Sequence, residues 1–434
     1  MLNKKKHLFI GLARRSTGEA TYTIRQLLGL SNIYSVALYI HKDLEQVVVG
    51  FHGEKKFHDI SRLPFNEIVQ SIEQLVFEYS NVTFIDLNCF FLECNIRAEQ
   101  REVLFSKLEC IHAQGINVSI IDYFGAFTLT ESEYEKRIVA AHTRLEGKIQ
   151  GIPPKSRLGY YLRKFIPERM EMQLMPPLKG PILLKPIPLN KLEYLSENVL
   201  YYSNLLNVTP REREKKKRRT VFFGLSRFFE YTVDKSIIKN LCTVIFNELT
   251  NVLDIERIVC IDPFSCINDL DVSKKLKIEV HPWIESSELD TILDESLFAA
   301  LFVPYGTVGT IALNRGVPFV AFYASESSVM NRRYNNLMKG EPFPGFHALG
   351  IWEDEAYFPD LAYENPYFKS VLFVDICQPD AFEKLERELH SKNIDEKIHT
   401  YQKWVASIKT LTFASCLDHL YSHYVPIKTK DIHL

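Results

Sequence analysis

Residues 303–323 read VPYGTVGTIALNRGVPFVAFY, small and hydroxylated residues set between two apolar runs. Gly306, Thr307, Gly309 and Thr310 fall where a strand gives way to a short helix. Such a turn offers backbone N–H groups and hydroxyls at a helix N-terminus, a place suited to an anion and above all to a phosphate. The same glycines also serve simply to turn the chain, and Gly316-Val317-Pro318 also serves to end a helix and open a strand. Gly224-Leu225-Ser226-Arg227 closes another apolar run, and the fork of Arg227 suits a phosphate in two bonds. Beside Glu230 it is equally a surface arginine. His281 ends the run KIEVH ahead of Pro282, a position more often structural than functional. Glu19 falls in the opening turn of a helical segment, and Asp86 and Asp122 end two apolar runs. A carboxylate so placed acts as general base on a hydroxyl, or merely compensates a helix dipole or caps a turn. Glu326, Arg332 and Arg333 follow the GVP run, and a solvated helix face explains them as well as ligand contacts do.

The elements that position these residues alternate. Strands read at His7–Leu12, Ser35–Ile40, Gln46–Phe51, 81–87 (NVTFIDL) and 117–123 (NVSIIDY). Helices read at about Gly18–Leu28, at Phe65–Val76 with one apolar face, and at about Ala98–Gln114. From Gly151 to Pro210 proline-rich, aperiodic sequence reads as irregular connection, ending in the charge run REREKKKRR. Alternation restarts with strands at Thr220–Leu225, Arg257–Asp262, Lys277–His281, Ala299–Val303, Pro318–Tyr323 and Ser370–Asp375. A helix carries Ile237, Ile238, Leu241, Val244, Ile245 and Leu249 on one face, and another spans about Ser287–Ser296, with Ser287 and Asp290 as a capping pair. Asp380–Tyr424 is almost all helical. Apolar strands alternating with amphipathic helices make parallel sheets buried on both faces.

At 434 residues the chain suggests two domains. A net charge of −2 gives no reason to expect nucleic acid or an anionic membrane as partner. The eight cysteines form no CxxC pair and most sit in apolar runs, so buried reduced thiols are expected, not disulfides or zinc. The opening MLNKKKHLFIGLARR is too short in its apolar part for a secretory leader, and no segment approaches the ~20 apolar residues of a membrane span. The expected location is cytoplasmic.

The stretch 274–323 resembles the C-terminal domain of GT-B glycosyltransferases. Pro282-Trp283, Glu288-Leu289 and Leu293 precede the Gly/Thr loop and then Gly316-Val317-Pro318, as in that family. The resemblance implies two Rossmann-like doubly wound α/β domains facing across a cleft, with a helical C-terminal tail. It implies an N-terminal acceptor domain over 1–200, a nucleotide-sugar domain over 218–390, and a tail over 391–434 packing back on the first. Thr307 and Thr310, with the N–H of Gly309 or Thr310, would hold the donor diphosphate; the turn of Gly224, Ser226 and Arg227 would bring backbone and a basic group to the same phosphates, and the His281 loop would lie under the nucleotide. Residues 12–27 resemble the family's first loop, where Glu19 would be the base on the acceptor hydroxyl, with Asp86 and Asp122 as the other candidates. The expected partners are a nucleotide sugar and an unknown acceptor, with no cofactor. Asp269-Leu270-Asp271 reads as a turn, so metal-independent transfer is expected. The Glu-x7-Glu pair of many retaining members and the HCGxxS signature of plant-type members are both missing. Two alternatives share the fold: a nucleotide-sugar 2-epimerase, and a non-catalytic auxiliary protein.

Overall fold

The computed structural model describes residues 6–123 (apart from 15–16, 29, 31–32 and 95), 127, 130–136, 138–139, 143, 175–187, 199–203, 219–225, 235–323 (apart from 263–264, 268 and 303–305) and 366–422 (apart from 408–410). The chain divides into two compact units: Met1–Leu206 with Glu355–Leu361 and Thr410–Leu434, and Asn207–Asp354 with Ala362–Lys409.

The first unit holds a parallel sheet of seven strands: β1 (Lys6–Gly11), β2 (Ser35–His41), β3 (Glu54–His58), β4 (Asn81–Ile85), β5 (Asn117–Ile121), β6 (Ile182–Ile187) and β7 (Val199–Ser203). Their order is β3-β2-β1-β4-β5-β6-β7. The chain winds outward from β1 to β3, then returns to the other side of β1 with β4. That reversal between β1 and β4 is the switch point of a doubly wound sheet. Helices α1 (Thr17–Leu28), α2 (Phe65–Val76), α3 (Leu87–Glu93) and α4 (Ala98–Ala113) make the crossovers. Apolar spacing explains α2, which buries Ile68, Val69, Ile72 and Val76.

Three expectations are corrected here. The segment read as a strand at Gln46–Phe51 holds a 3-10 helix, Lys42–Val48, and the strand is instead β3, EKKFH. β3 is the sheet edge and exposes most of its side chains, so no apolar run announces it, and its lysines guard the open edge. The proline-rich stretch is not wholly irregular, since it contributes β6 and β7. Pro186 is tolerated because β5 pairs with β6 only as far as Leu184; beyond it, among the described strands, β6 is paired with β7. Helix α3, straight after Asp86, was not expected at all.

The second unit repeats the pattern with six parallel strands: β8 (Thr220–Gly224), β9 (Arg257–Ile261), β10 (Lys277–His281), β11 (Ser296–Leu301), β12 (Phe319–Tyr323) and β13 (Val371–Asp375). Their order, β10-β9-β8-β11-β12-β13, puts the switch point between β8 and β11. Helices α5 (Lys235–Leu253), α6 (Ser286–Glu295), α7 (Thr307–Asn314), α8 (Pro366–Ser370), α9 (Ala381–Leu389) and α10 (Lys392–Ser407) belong to it. The last described helix, α11 (Phe413–Ser422), belongs to the first unit. The expected Ser287–Asp290 cap of α6 is replaced: its N-cap is Glu285 with no side-chain cap bond, and Asp290 pairs instead with Arg315 at 3.2 Å. All eight cysteines are free. Five are buried, but Cys110 is exposed. Among the described residues no helix is long and apolar enough to cross a membrane.

Candidate functional site

In the second unit the candidate site is built at the switch point. β8 ends at Gly224 and β11 at Leu301, side by side in register. A Cβ on Gly224 would meet Leu301 Cδ2 at 2.4 Å, and one on Gly306 would meet Leu301 Cδ1 at 2.9 Å. Leu301 thus wedges between the two glycines, and both must be small to admit it. α7 starts straight after, capped by Gly306 in extended backbone with no side-chain cap. Gly306 O accepts from the N–H of Gly309 (3.0 Å) and Thr310 (3.4 Å), closing the first turn.

The two central residues of the loop face inward. A Cβ on Gly309 would stand 2.4 Å from Tyr367 Oη and 2.7 Å from the Phe319 ring, so the glycine lets α7 seat on α8 and β12. Thr310 is fully buried, and its hydroxyl donates to Thr307 O at 2.9 Å. Thr307, by contrast, is half-buried at the first position of the helix. Among the described residues of the loop, the groups left partly exposed belong to Gly306, Thr307 and Val308.

Around the same edge, His281 ends β10 half-buried, and its carbonyl accepts from Asp262 N at 2.9 Å. Asp262 turns its carboxylate inward to take the N–H of Ile267 at 2.8 Å, which shapes the loop after β9. Beneath it Cys242 and Cys260 are buried; burial above all pushes both thiols up, with Asp262 next for Cys242, and Cys242 and then Asp262 next for Cys260, so they stay protonated. Asp269, in the Asp-Leu-Asp sequence, takes a left-handed turn conformation at φ 58°. Ser226, Arg227, Glu326, Arg332 and Arg333 lie outside the described residues. Among the described residues no group of His, Cys, Asp and Glu is arranged to hold a metal ion.

The first unit presents a different edge. Glu19 is the third residue of α1, in its first turn, with its side chain outside the described residues. Asp122 has no exposed surface. Its Oδ2 stands 3.5 Å from Lys185 Nζ and accepts from Phe127 N at 3.3 Å. A carboxylate so enclosed shapes the loop after β5; it does not reach solvent. Arg14 donates its backbone N–H to Glu93 at 2.8 Å and sets its guanidinium 3.9 Å from Asp43.

Two histidines that the sequence reading passed over end β2 and β3 here. His58 Nε2 donates to Gly11 O at 3.1 Å while its Nδ1 accepts from Ile60 N at 3.4 Å. His41 Nδ1 accepts from Asp43 N at 3.1 Å, so its Nε2–H donates to Asp59 and Ser61, each at 3.1 Å. Burial dominates both: it pushes His58 down to about 4, and lowers His41 despite Asp43 and Asp59. They are neutral tethers. Lys185 was missed because it lies in the proline-rich stretch. His41 was signalled only by its place at the end of an apolar run.

No protein-family model matches the chain, and no curated protein matches it. Solved structures do. The glycotransferase of kitacinnamycin superposes with a TM-score of 0.55 at 10% identity, covering 96% of this chain and 99% of that one. CalG4, the calicheamicin glycosyltransferase, gives 0.50 at 10% identity, covering 97% and 98%. The spinosyn forosaminyltransferase SpnP gives 0.50 at 13% identity, covering 97% and 100%. At such identities the likeness is one of fold, and it spans both units: the chain has the GT-B fold.

Proposed function

We propose that this chain is a glycosyltransferase that moves a sugar from a nucleoside diphosphate donor to an acceptor hydroxyl without a metal. The second unit binds the donor and the first holds the acceptor. One observation carries the reading: the Gly/Thr loop and the start of α7 stand at the switch point between β8 and β11, where sheets of this class bind ligands. The three neighbouring structures carry glycosyltransferase names and support the same class.

In this reading the diphosphate lies against the first turn of α7, near Thr307 and the backbone N–H groups beside it, with Gly224 and His281 along the nucleotide and Ser226 and Arg227 beside the phosphates. Thr310 and Gly309 serve by seating the helix. Helix N–H groups stabilise the charge that grows on the leaving phosphate. The acceptor oxygen bonds to the anomeric carbon as the sugar–phosphate bond breaks, and the acceptor proton passes to Glu19. In this reading the base is Glu19, and Asp122, enclosed with Lys185, serves to hold Phe127 beside the end of β5.

A thermal-shift screen against UDP, dTDP, GDP, CDP and CMP tests the donor site. One nucleotide should stabilise the protein by about 2.7 kcal/mol at 100 times its dissociation constant. No shift with any of the five would end the reading. One observation favours the non-catalytic alternative: Asp122, one of the carboxylates that the sequence offers as a base, is sealed off from solvent. Nucleotide binding with no sugar released or transferred from the matching nucleotide sugar would select it. Conversion of that sugar without any acceptor would select the epimerase.

A further inference from the structure

Helix α7 has eight residues, little more than two turns. So short a helix keeps its place only through what surrounds it. Its carbonyl end is tied down from two other helices. Gln402 of α10, itself buried, donates its amide Nε2–H to Leu313 O and Asn314 O, each at 3.1 Å. Its neighbour Tyr401 donates its hydroxyl to Thr310 O at 3.4 Å. Arg315, the C-cap residue, forks onto Asp294 of α6, with Nε 2.9 Å from Oδ1 and Nη2 bonded to Oδ2, and reaches Asp290 at 3.2 Å. Its side chain is only 8% exposed, which strengthens the pair. On its flank, Gly309 leaves room for Tyr367 and Phe319. At the amino end the cap residue Gly306 supplies no side-chain bond; its carbonyl closes the first turn, and the Thr310 hydroxyl donates to Thr307 O at 2.9 Å.

We propose that Gln402, with Arg315 and Tyr401, is a positioning residue for the donor site: it sets the height and tilt of α7 and so places the first-turn N–H groups. This rests on the donor-site reading given above. The physical case has two parts. The helix is about 12 Å long at 1.5 Å per residue, so a tilt of roughly 5° about its carbonyl end moves the first turn by about 1 Å. Misplacement on that scale is costly where reacting or bound groups must meet fixed donors. In addition, a donor on the last carbonyls satisfies acceptors that the helix cannot, and polarises the hydrogen-bonded rows that end at the first-turn N–H groups. Gln402 and Arg315 meet the helix at its carboxyl end, and Tyr401 meets it from the buried side at Thr310 O, so in this arrangement none of the three touches the ligand. They act through the helix.

The test compares Gln402→Leu with Leu385→Val, a buried change on α9 chosen to match its loss of melting temperature. Affinity is measured for the nucleotide that best stabilises the wild-type protein, at a temperature where every variant is folded. Hydrogen exchange at residues 307–310 is measured without nucleotide. Gln402→Leu should weaken binding about five- to tenfold, the weight of one or two hydrogen bonds, and should speed exchange at the first turn. Leu385→Val should stay within about twofold of wild type on both readings. Should Gln402→Leu fail to fold, Arg315→Lys and Tyr401→Phe carry the test, since each keeps the bulk of the side chain; both should weaken binding, Arg315→Lys more. Unchanged affinity and exchange in the folded variants, with the wild type binding nucleotide, overturns the proposal alone. A wild type that binds none of the five nucleotides overturns the donor site, and this proposal with it.

Discussion

The two helices that end the described chain do different work. α11 belongs to the first unit and lies against the amino edge of its sheet. Asn117, the first residue of β5, donates to Leu420 O at 2.6 Å. Tyr421 donates its hydroxyl to His7 Nδ1 at 3.1 Å, and His7 Nε2–H donates to Thr83 Oγ1 at 2.7 Å. The series continues through Ser119 at 2.7 Å to Val82 O at 3.4 Å, every group donating once in the same direction. Tyr34 adds a bond to Asp418 at 2.5 Å. α10 belongs to the second unit and grips α7, the helix that starts at the carboxyl edge. Ligands of this fold class bind at carboxyl edges. The ties of α11 therefore serve the fold alone, while those of α10 serve the fold and the candidate site together.

That contrast breaks in predictable ways. The largest loss is expected in the first unit from Lys185→Met, which strands the enclosed Asp122 charge and should cost about 3–5 kcal/mol in urea unfolding. Retention of full stability would mean that Asp122 is not held as described, and would return it as a candidate base.

The next effect is one of pH. Burial lowers His7 to about 3, so the folded state keeps it neutral while the unfolded chain takes up a proton below about 6.5. The unfolded state then binds more protons, and stability must fall as pH drops from 6.5 toward 3. His7 alone supplies up to about 1.4 kcal/mol per pH unit in that window, and His58 adds to it down to about 4. The variant His7→Gln should flatten the slope measured by urea unfolding at pH 4, 5, 6 and 7. It should leave nucleotide affinity untouched; an altered affinity would erase the contrast between the two tail helices.

Gly309→Ala comes third in stability and first in binding. Its methyl would overlap Tyr367 Oη and the Phe319 ring, so overpacking should cost about 1–3 kcal/mol. The helix must lift to make room, and nucleotide-dependent stabilisation should disappear in a thermal-shift assay. The smallest change is Tyr401→Phe: its bond to Thr310 O is long at 3.4 Å, so stability should fall by no more than about 0.5 kcal/mol. A loss above 2 kcal/mol, on the order of a stranded buried partner, would show that the hydroxyl does more than this geometry supports.

Much of the fold is legible in the residues because each strand and helix advertises its burial locally. NVTFI and TVFFG are rich in apolar and β-branched residues and become interior strands; Phe65–Val76 repeats at helical spacing and becomes α2. Elements that break the pattern were lost for physical reasons. β3 is an edge strand of charged residues, and β6 carries a proline that only its partial pairing tolerates. The site divides in the same manner. Gly306 and Gly309 stand out as small residues in an aromatic chain, but their reasons, Leu301 against one and Tyr367 and Phe319 against the other, belong to packing.

The sequence by itself determined the alternation of elements, the repeat of that alternation in two halves, and the place of the Gly/Thr loop between a strand and a helix. Those follow from periodicity and turn chemistry, which act over a few residues. Tertiary structure alone decided that the loop stands at a switch point, that Asp122 is enclosed by Lys185, and that Gln402 holds a helix 89 positions earlier in the chain. Strand order and side-chain partners of that kind arise only when distant segments are buried together, and no local spacing records which segments those are.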